Sequence, residues 1–426
     1  MTLPGRRVRR PTRWRWIAVA AAAIVLLLLG MALDGSPAVP RAIAPTGTQV
    51  RDGRDALRRL RDTLRAPQPA TVRFSDADLH GIAALAANVT SAWRVAAGLT
   101  AGRATAMASR ELPLGLWLNL HVATVPDTGP GFPALDVSVG DIGIPRWLTR
   151  VVMGALRGMI VLRGAKLPPL DRLVLDTDVT GREVAFRLGT PIDGTGLVRL
   201  IVGLQAAEVD GARVASLYCG LVAAQRADPA NDVATHLRRG VAAAPAGADA
   251  VAENRALLVA LAMLTVGERA ADLADDAAAL SKKCWRDPPN LTLASRADLA
   301  KHWSLSAALG ATVGGDATRA LGEWKELSDS LPGGSGFSFV DLAADRAGLR
   351  IGRAAGTPAK AAAIRAAFVR ATDAMLLPLD AASLAEGLTD AQFVARYGSI
   401  DTRDFDGAVT AIDALLDRDP VLRAAR

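Results

Sequence analysis

Aromatic and cysteine residues are scarce in this chain, and their scarcity narrows the functions it can have. Aromatic residues make up 4% of the 426 positions, which argues against surfaces that stack nucleic-acid bases. The two cysteines form no Cys-x-x-Cys motif and have no histidine nearby in sequence, which disfavours thiol catalysis. The chain also lacks a Gly-x-Ser-x-Gly nucleophile elbow, a phosphate-binding loop and a His-Glu-x-x-His motif. No strong catalytic motif therefore points to an activity.

Positive charge is concentrated at the N-terminus. Six arginines and no acidic residue precede residue 16, and they supply all but one unit of the formal net charge of +7. These are Arg6, Arg7, Arg9, Arg10, Arg13 and Arg15. The rest of the chain is close to neutral, which excludes a basic nucleic-acid-binding body, so no nucleic-acid partner is expected.

The arginines directly precede an uncharged run of 18 residues, Trp16 to Leu33. As a helix this run is about 27 Å long, enough to cross the hydrocarbon core of a bilayer. We therefore predict a single transmembrane helix over 16–33 in the inner (cytoplasmic) membrane of a bacterium. The arginine-rich tail 1–15 is then cytoplasmic and the bulk of the chain periplasmic. A cleaved signal peptide and a buried core helix are the alternatives.

Residues 34–69 lead from this run to the first folded part. The segment 34–48 carries proline and glycine, which is typical of a linker. The segment from Arg51 to Arg65 is dense in Arg and Asp and has leucines at helical spacing, which predicts an amphipathic helix. This helix either packs on its own domain or lies on anionic lipid.

Residues 70–190 predict an α+β domain with a curved antiparallel sheet. Ser75 and Asp78 are expected to cap a helix that continues to about Ala96. Alternating apolar and polar residues predict strands, and a Val-Thr-Gly-Arg turn predicts a hairpin. The predicted strands are 104–112, 115–125, 134–144, 173–178 and 183–188, and the predicted apolar helix is 147–161.

Two motifs of this domain are a Leu-Trp-Leu-Asn-Leu strand at 116–120 and a Val-Gly-Asp-Ile-Gly-Ile-Pro run at 139–145, followed by the helix. In this order they resemble membrane-anchored envelope domains of the YpmS type. Such domains are grouped with tubular lipid-binding folds, so the resemblance implies an apolar groove between helix and sheet. The alternative is an ordinary α+β core without a ligand. His80 and His121 have no partner at ligand spacing and are expected to be structural.

From residue 196 to the C-terminus the pattern predicts helices only. Outside the stretch 295–352 they are expected over 197–227, 232–243, 248–266, 270–282, 358–375, 389–397 and 404–417. Apolar residues recur at helical spacing, without a fixed repeat, which indicates one all-α domain over 196–426. Both cysteines, Cys219 and Cys284, lie here, 65 positions apart. In an oxidising compartment they can form a disulfide that contributes roughly 4 kcal/mol. Two buried thiols are the alternative.

Three capping signatures in the stretch 295–352 predict three helices. The first signature, Ser295 with Asp298, has the form of a capping box. The helices are expected over 296–312, 316–331 and 339–353. Tight turns predict antiparallel neighbours, and small residues such as Gly348 and Gly352 permit close approach of their backbones.

Polar side chains on these helices form the candidate site. The candidate catalytic residues are His302, Lys325, Glu326, Asp329, Asp341 and Asp345. The candidate metal ligands are His302, Glu326 and Asp329. A histidine among carboxylates and a lysine forms a metal site, an acid–base pair or a buried polar clamp. The alternative is a solvated ion pair, a helix cap and a hydrogen-bonded core histidine, because the spacing matches no strong metal-ligand motif.

Part of this stretch resembles a known family. The shared pattern is His302 with Ser-Ala-Ala-Leu at 306–309, Lys-Glu-Leu at 325–327 with Asp329, and Gly-Phe-Ser at 336–338 with Asp341, Asp345 and Gly348. It resembles the YfiM-like family of predicted periplasmic lipoproteins, which has no defined activity. The resemblance implies a periplasmic compartment only. The chain departs from the family because no cysteine lies near its N-terminal apolar run, which excludes a lipid anchor there.

Two hypotheses for the function follow. The first is a non-enzymatic, membrane-anchored envelope protein that binds a lipid or an envelope protein partner and uses no cofactor. The second is an envelope hydrolase in which His302 is a base or metal ligand, the carboxylates are ligands or acid partners, and Lys325 stabilises an anion. The second requires these groups to converge within about 3 Å of a common point. The sequence leaves the oligomeric state open.

Overall fold

The chain folds into a small domain built on antiparallel sheets and a larger helical region, as seen in a computed structural model. The structure describes residues 29–40, 45–66, 69–89, 93–126, 129–162, 167–189, 207–274, 276–313 and 334–426, and also residues 16, 20, 23, 27 and 329. The mixed α+β class agrees with the sequence prediction. The predicted helix 316–331, apart from Asp329, lies outside the described residues.

Two sheets are formed by the strands of the described residues. The strands are β1 (Leu33–Asp34), β2 (Ala70–Ser75), β3 (Trp93–Thr100), β4 (Arg103–Glu111), β5 (Trp117–Thr124), β6 (Leu135–Val139), β7 (Ile142–Ile144), β8 (Val174–Val179) and β9 (Glu183–Leu188). The larger sheet has the order β3-β4-β5-β6-β7, with β1 paired to the start of β5. The smaller sheet has the order β2-β9-β8. All pairings are antiparallel, as predicted.

Helices pack beside the sheets and make up the remainder of the fold. In the α+β domain they are α1 (Gly47–Arg65), α2 (Asp76–Val89), α3 (Arg146–Leu162) and α4 (Leu170–Leu173). In the helical region they are α5 (Gly211–Ala227), α6 (Val233–Ala242), α7 (Ala250–Val266), α8 (Ala277–Ser281), α9 (Ala297–Thr312), α10 (Phe339–Ala355), α11 (Pro358–Phe368), α12 (Asp373–Leu376), α13 (Asp390–Tyr397), α14 (Arg403–Leu416) and α15 (Pro420–Ala425). Among the described residues after 206 there are isolated β-bridges but no strand.

Helices α1 and α2 cross at a pair of glycines. A Cβ atom on Gly53 would lie 2.6 Å from the carbonyl carbon of Gly81, so a side chain at this crossing would force the helices apart. Val50, Ala56 and Leu64 of α1 are buried. The predicted amphipathic helix therefore packs on its own domain.

The end of the N-terminal apolar run contacts the larger sheet. Leu33 pairs with Leu118 of β5, and the carbonyl oxygen of Met31 accepts a hydrogen bond of 2.8 Å from the Asp141 amide. Half of the predicted span 16–33 lies outside the described residues. The predicted end of this helix at Leu33 is wrong, because Leu33 belongs to β1. Within the part of the chain that the structure describes, no helix is long and apolar enough to cross a membrane.

Residues 34–39, predicted as part of a linker, are held on the same sheet. The Asn119 amide donates a hydrogen bond of 2.6 Å to Asp34, and its oxygen accepts one of 2.9 Å from the Ala38 amide. The Val39 amide donates to the Ser109 hydroxyl at 3.0 Å. The linker prediction is wrong for these residues because Asn119 and Ser109 of the sheet bind them.

Three elements of the α+β domain differ from the prediction. The helix expected to reach Ala96 ends at Val89, because β3 pairs along its whole length with β4. The strand expected over 134–144 is two strands, since the chain turns at Gly140, where φ is 54°. Strand β2, which pairs with β9, was not predicted.

Three predictions in the helical region are also wrong. The helix expected over 270–282 is a short 3₁₀ turn, Glu268–Leu273, followed by α8. The helix expected over 358–375 is divided into α11 and α12, because the Thr372 hydroxyl caps a new helix by accepting from the Met375 amide. The capping box at Ser295 does not form, since this residue has a φ of 64° and lies outside α9.

Candidate functional site

Helices α9 and α10 make the closest backbone contact near the candidate site. A Cβ atom on Gly348 would lie 2.2 Å from the carbonyl oxygen of Trp303, and one on Gly352 would lie 2.1 Å from that of Ala307. The contacts advance in the same direction along both helices, so α9 and α10 run parallel. The predicted small residues thus allow the close approach. The antiparallel prediction concerns successive helices, and the one predicted between these two, 316–331, lies outside the described residues apart from Asp329.

His302 of α9 lies between two aspartates of α10. Its Nδ1 atom is 3.1 Å from Oδ2 of Asp345, and its Nε2 atom is 3.4 Å from Oδ2 of Asp341. The Ser306 hydroxyl donates a hydrogen bond of 2.6 Å to the other oxygen of Asp345. The side chains of His302, Asp341 and Asp345 are each only about a tenth exposed. We call this group of four residues the His302 cluster.

Local sequence explains how the cluster is assembled. Asp341 and Asp345 are four residues apart on α10, as are His302 and Ser306 on α9, so each pair shares one helix face. Ser338 caps α10 by accepting a hydrogen bond of 3.1 Å from the Asp341 amide. This cap places Asp341 in the first helical turn, where the helix dipole favours a negative charge.

The geometry of the His302 cluster is that of a buried polar clamp. A protonated imidazole donates from both nitrogens, and here each nitrogen faces a carboxylate on a different edge of the ring. In a serine hydrolase the imidazole accepts the serine proton, but the Ser306 hydroxyl donates to Asp345 instead. The two carboxylates and one ring nitrogen therefore do not converge on a common point. The cluster joins α9 to α10.

The other predicted site residues are Lys325, Glu326 and Asp329. Lys325 and Glu326 lie outside the described residues. The carbonyl oxygen of Asp329 accepts a hydrogen bond of 2.7 Å from the Gly336 amide. Across the residues that are described, no group of three His, Cys, Asp or Glu side chains could hold a metal ion.

Sequence reasoning missed a second polar network on α10. Arg346 and Arg350 both bind Asp413 of α14, at 2.6 and 2.8 Å, and Arg350 also binds Asp417 at 2.7 Å. Burial would raise the pKa of Asp413, but hydrogen bonds and charge from the two arginines hold this pKa below its usual value. The partners lie more than sixty residues apart in sequence, so no local pattern reveals them.

The two cysteines are joined in the structure. Cys219 of α5 and Cys284 form a disulfide, with their Cα atoms 5.5 Å apart. The neighbouring rings of Tyr218 and Trp285 stack with centroids 5.4 Å apart. The bond ties α5 to the segment that precedes Asp287, as one of the two sequence alternatives proposed.

A second candidate site is one face of the larger sheet. Strand register places two apolar rows side by side across all five strands. One row is Val95, Ala108, Leu120, Val139 and Ile142, and the other is Ala97, Ala106, Val122, Val137 and Ile144. None of these ten residues belongs to either buried core, and each is half-buried or exposed. We call these two rows the apolar sheet face.

The opposite face of the same sheet is polar and better covered. Its central row contains His121 and Ser138 next to Met107. Beside this row Ser109 is fully buried under residues 34–39. His121 is exposed, and the His80 ring binds the carbonyl oxygen of Asp76 at 2.9 Å. The apolar sheet face is thus the more exposed of the two faces, and the polar face is the more buried one.

A small cavity lies where α3 meets the larger sheet. Its volume is about 170 Å³, and its walls include Phe132, Leu135, Met153 and Leu170. Ligand pockets are typically about 300 Å³ or larger, so this cavity is too small for a whole lipid.

Comparison with known proteins gives no match for this chain. No family model matches it, and neither does a curated protein or a solved structure. The resemblances to the YfiM-like family and to YpmS-type domains therefore stay predictions, and function is inferred from sequence and geometry.

Proposed function

We propose that the chain is a non-enzymatic, membrane-anchored protein of the bacterial cell envelope whose α+β domain binds lipid acyl chains. The observation that carries the proposal is the apolar sheet face, which lies outside both buried cores. Antiparallel sheets commonly pack their apolar face on a core and leave the polar face in water. Here the apolar face is the less covered one, and an acyl chain would remove it from water.

The sequence supports the membrane anchor. The uncharged run 16–33 follows six arginines, the pattern of a single span with its N-terminus in the cytoplasm. The chain leaves this run directly onto the sheet, through Met31 and Leu33. A domain joined so closely to a membrane helix sits beside the bilayer, where acyl chains are available.

The His302 cluster supports a structural role for the helical region. A general base needs a ring nitrogen open to the substrate, whereas both nitrogens of His302 already face carboxylates. The hydrolase alternative predicts a metal ion or substrate at this cluster. A stoichiometric metal ion in the purified full chain that is lost in His302→Ala would favour that alternative.

Photocrosslinking in cells tests the lipid proposal. The full chain is produced in bacteria fed a fatty acid with a photoactivatable group along its chain, and crosslinked peptides are identified by mass spectrometry. We expect lipid adducts on peptides within 93–144, in addition to those on the predicted anchor. Adducts confined to the anchor would refute the proposed site and would favour an envelope protein partner.

A matched pair of variants separates the two faces of the sheet. Leu120→Asp places a charge in the middle of the apolar sheet face, and His121→Asp places one on the opposite face. We expect adducts on 93–144 to be lost in the first variant and retained in the second. Equal adduct levels in both would show that labelling does not depend on the apolar face.

A further inference from the structure

Helix α3 presents an unusual distribution of side chains. At about 100° per residue, its three arginines fall within roughly 40° of one another, and six of its seven large exposed apolar residues lie within about 180° on the other side. These six are Trp147, Val151, Val152, Leu156, Met159 and Leu162, and the seventh, Val161, lies next to the arginines. Trp147 is 68% exposed, Val151 is 59% exposed and Leu162 is 87% exposed. The helix contains no acidic residue.

The arginines of α3 are bound to their own domain. Arg146 binds Asp136 at 3.0 Å and Arg150 binds Asp171 at 2.6 Å. Arg157 donates hydrogen bonds of 2.6 Å to the backbone carbonyls of residues 167 and 168. The polar side of the helix is therefore used for attachment to the domain, and its apolar side faces outward. This is the reverse of an ordinary surface helix, whose apolar side faces the core.

Helix α3 begins close to the end of the N-terminal apolar run. The Asp141 amide binds the carbonyl oxygen of Met31, at the end of the apolar run, and α3 begins five residues later, at Arg146. Five residues span at most about 17 Å. The start of α3 is thus close to the point where the proposed anchor leaves the bilayer.

We propose that α3 lies in the interface of the bilayer that holds the anchor, with its apolar side among the acyl chains of the periplasmic leaflet. Helices in this interface place Trp and aliphatic residues in the lipid and run parallel to the membrane. The helix is about 25 Å long. Its outward side carries no charged residue, so the contact with lipid is apolar and does not depend on anionic headgroups. This inference rests on the proposed anchor, and it is independent of lipid binding by the apolar sheet face.

Spin labelling of the full chain tests the inference. Both native cysteines are bonded to each other, so Val151→Cys introduces a single free thiol for a nitroxide. The matched control is Val394→Cys on α13, because Val394 is 50% exposed and belongs to the helical region. Each labelled chain is reconstituted in discs of phosphatidylethanolamine and phosphatidylglycerol, after alkaline extraction has shown that the chain is membrane-integral.

The measured quantity is a ratio. It divides the accessibility of the nitroxide to oxygen by its accessibility to a water-soluble nickel chelate. We expect this ratio to be at least several-fold higher at position 151 than at position 394, and to be unchanged between about 0.1 and 1 M salt, because charge screening does not act on an apolar contact. A chelate accessibility at 151 equal to that at 394 would overturn the inference.

If something other than lipid covers the apolar side of α3, the label gives a different signal. Each of the following results would overturn the inference. Protection of the 151 label from both reagents would mean that another part of the chain covers the helix. Dipolar coupling between 151 labels on two chains would mean that a second copy covers it. Extraction of the chain by alkali would refute the proposed anchor itself. Adducts on 93–144 test the sheet separately, so the two proposals fail independently.

Discussion

The helical region and the α+β domain bury their apolar side chains to different extents. In α7 every residue from Ala256 to Leu264 is no more than 2% exposed, as in a helix surrounded by other helices. In the larger sheet, the ten residues of the apolar sheet face are all half-buried or exposed. The helical region completes its core together with Val50 of α1 and Leu85 of α2, whereas the sheet leaves apolar surface for something else to cover. A surface of this kind commonly marks a binding site.

The same contrast applies to polar groups. In the helical region, charged side chains are used as internal connections, as in the His302 cluster and in the pairing of Arg346 and Arg350 with Asp413. In the α+β domain the ion pairs of α3 lie at the surface, with Arg146 and Arg150 about 60% exposed. Substitutions in the helical region should therefore act on stability, and those on the sheet face should act on binding.

The largest expected effect is at the contact between α9 and α10. Gly352→Ala would place a Cβ atom 2.1 Å from the carbonyl oxygen of Ala307, and we expect it to lower the free energy of unfolding by about 3 kcal/mol or more. Gly220→Ala is the matched control, because a Cβ atom at this position of α5 would have no neighbour within 4 Å apart from the adjacent backbone of its own helix. It should raise stability by up to about 1 kcal/mol through helix propensity. Chemical denaturation of the full chain in detergent measures both.

The next effect is at the His302 cluster. His302→Ala leaves Asp341 and Asp345 without the ring that lies between them, so we expect a loss of about 2 to 3 kcal/mol. Lys301→Ala changes the adjacent, exposed residue of α9 and should alter stability by less than about 0.5 kcal/mol. Hydrogen exchange should show that the loss is confined to the helical region. Equal stability of the two variants would show that the cluster is not a clamp.

A smaller effect is expected from pH. Burial lowers the pKa of His236 below its usual value of 6.5, because the charged ring is disfavoured at a fully buried position. As the pH falls below about 7, the unfolded chain takes up a proton at this residue more readily than the folded chain, so stability decreases. The slope is at most about 1.4 kcal/mol per pH unit, the limit for one proton. Wild type should lose more stability between pH 7.5 and 5.5 than His236→Gln.

Local patterns in the sequence predict much of the fold correctly. The bounds of α9, α10 and β9 agree with prediction to within about two residues, because helix caps and alternation of apolar residues are local signals. Strand β3 was missed, since its alanines favour a helix and only pairing with β4 selects the extended form. Pairing between strands is not visible in a local window of sequence.

The candidate sites depend even more on distant contacts. The sequence groups His302 with five charged residues, but only the parallel packing of α9 on α10 brings Asp341 and Asp345 into contact with it. Likewise, the alternation of apolar and polar residues in β5 predicts one apolar face. It does not predict that the residues of this face belong to neither buried core. What covers a predicted surface is decided by the whole fold, so sequence reasoning identifies the residues and not their environment.

The smallest change in stability is expected for Val122→Thr on the apolar sheet face. The two side chains have nearly the same shape, and at this half-buried position water can reach the new hydroxyl, so stability should fall by less than about 0.5 kcal/mol. The same substitution at Val259, which is fully buried in α7, should cost about 2 kcal/mol because the hydroxyl loses its water. Lipid adducts on 93–144 should decrease for Val122→Thr and stay unchanged for Val259→Thr. Equal losses of stability at the two positions would mean that the sheet face is closed by the protein itself and is not completed by lipid.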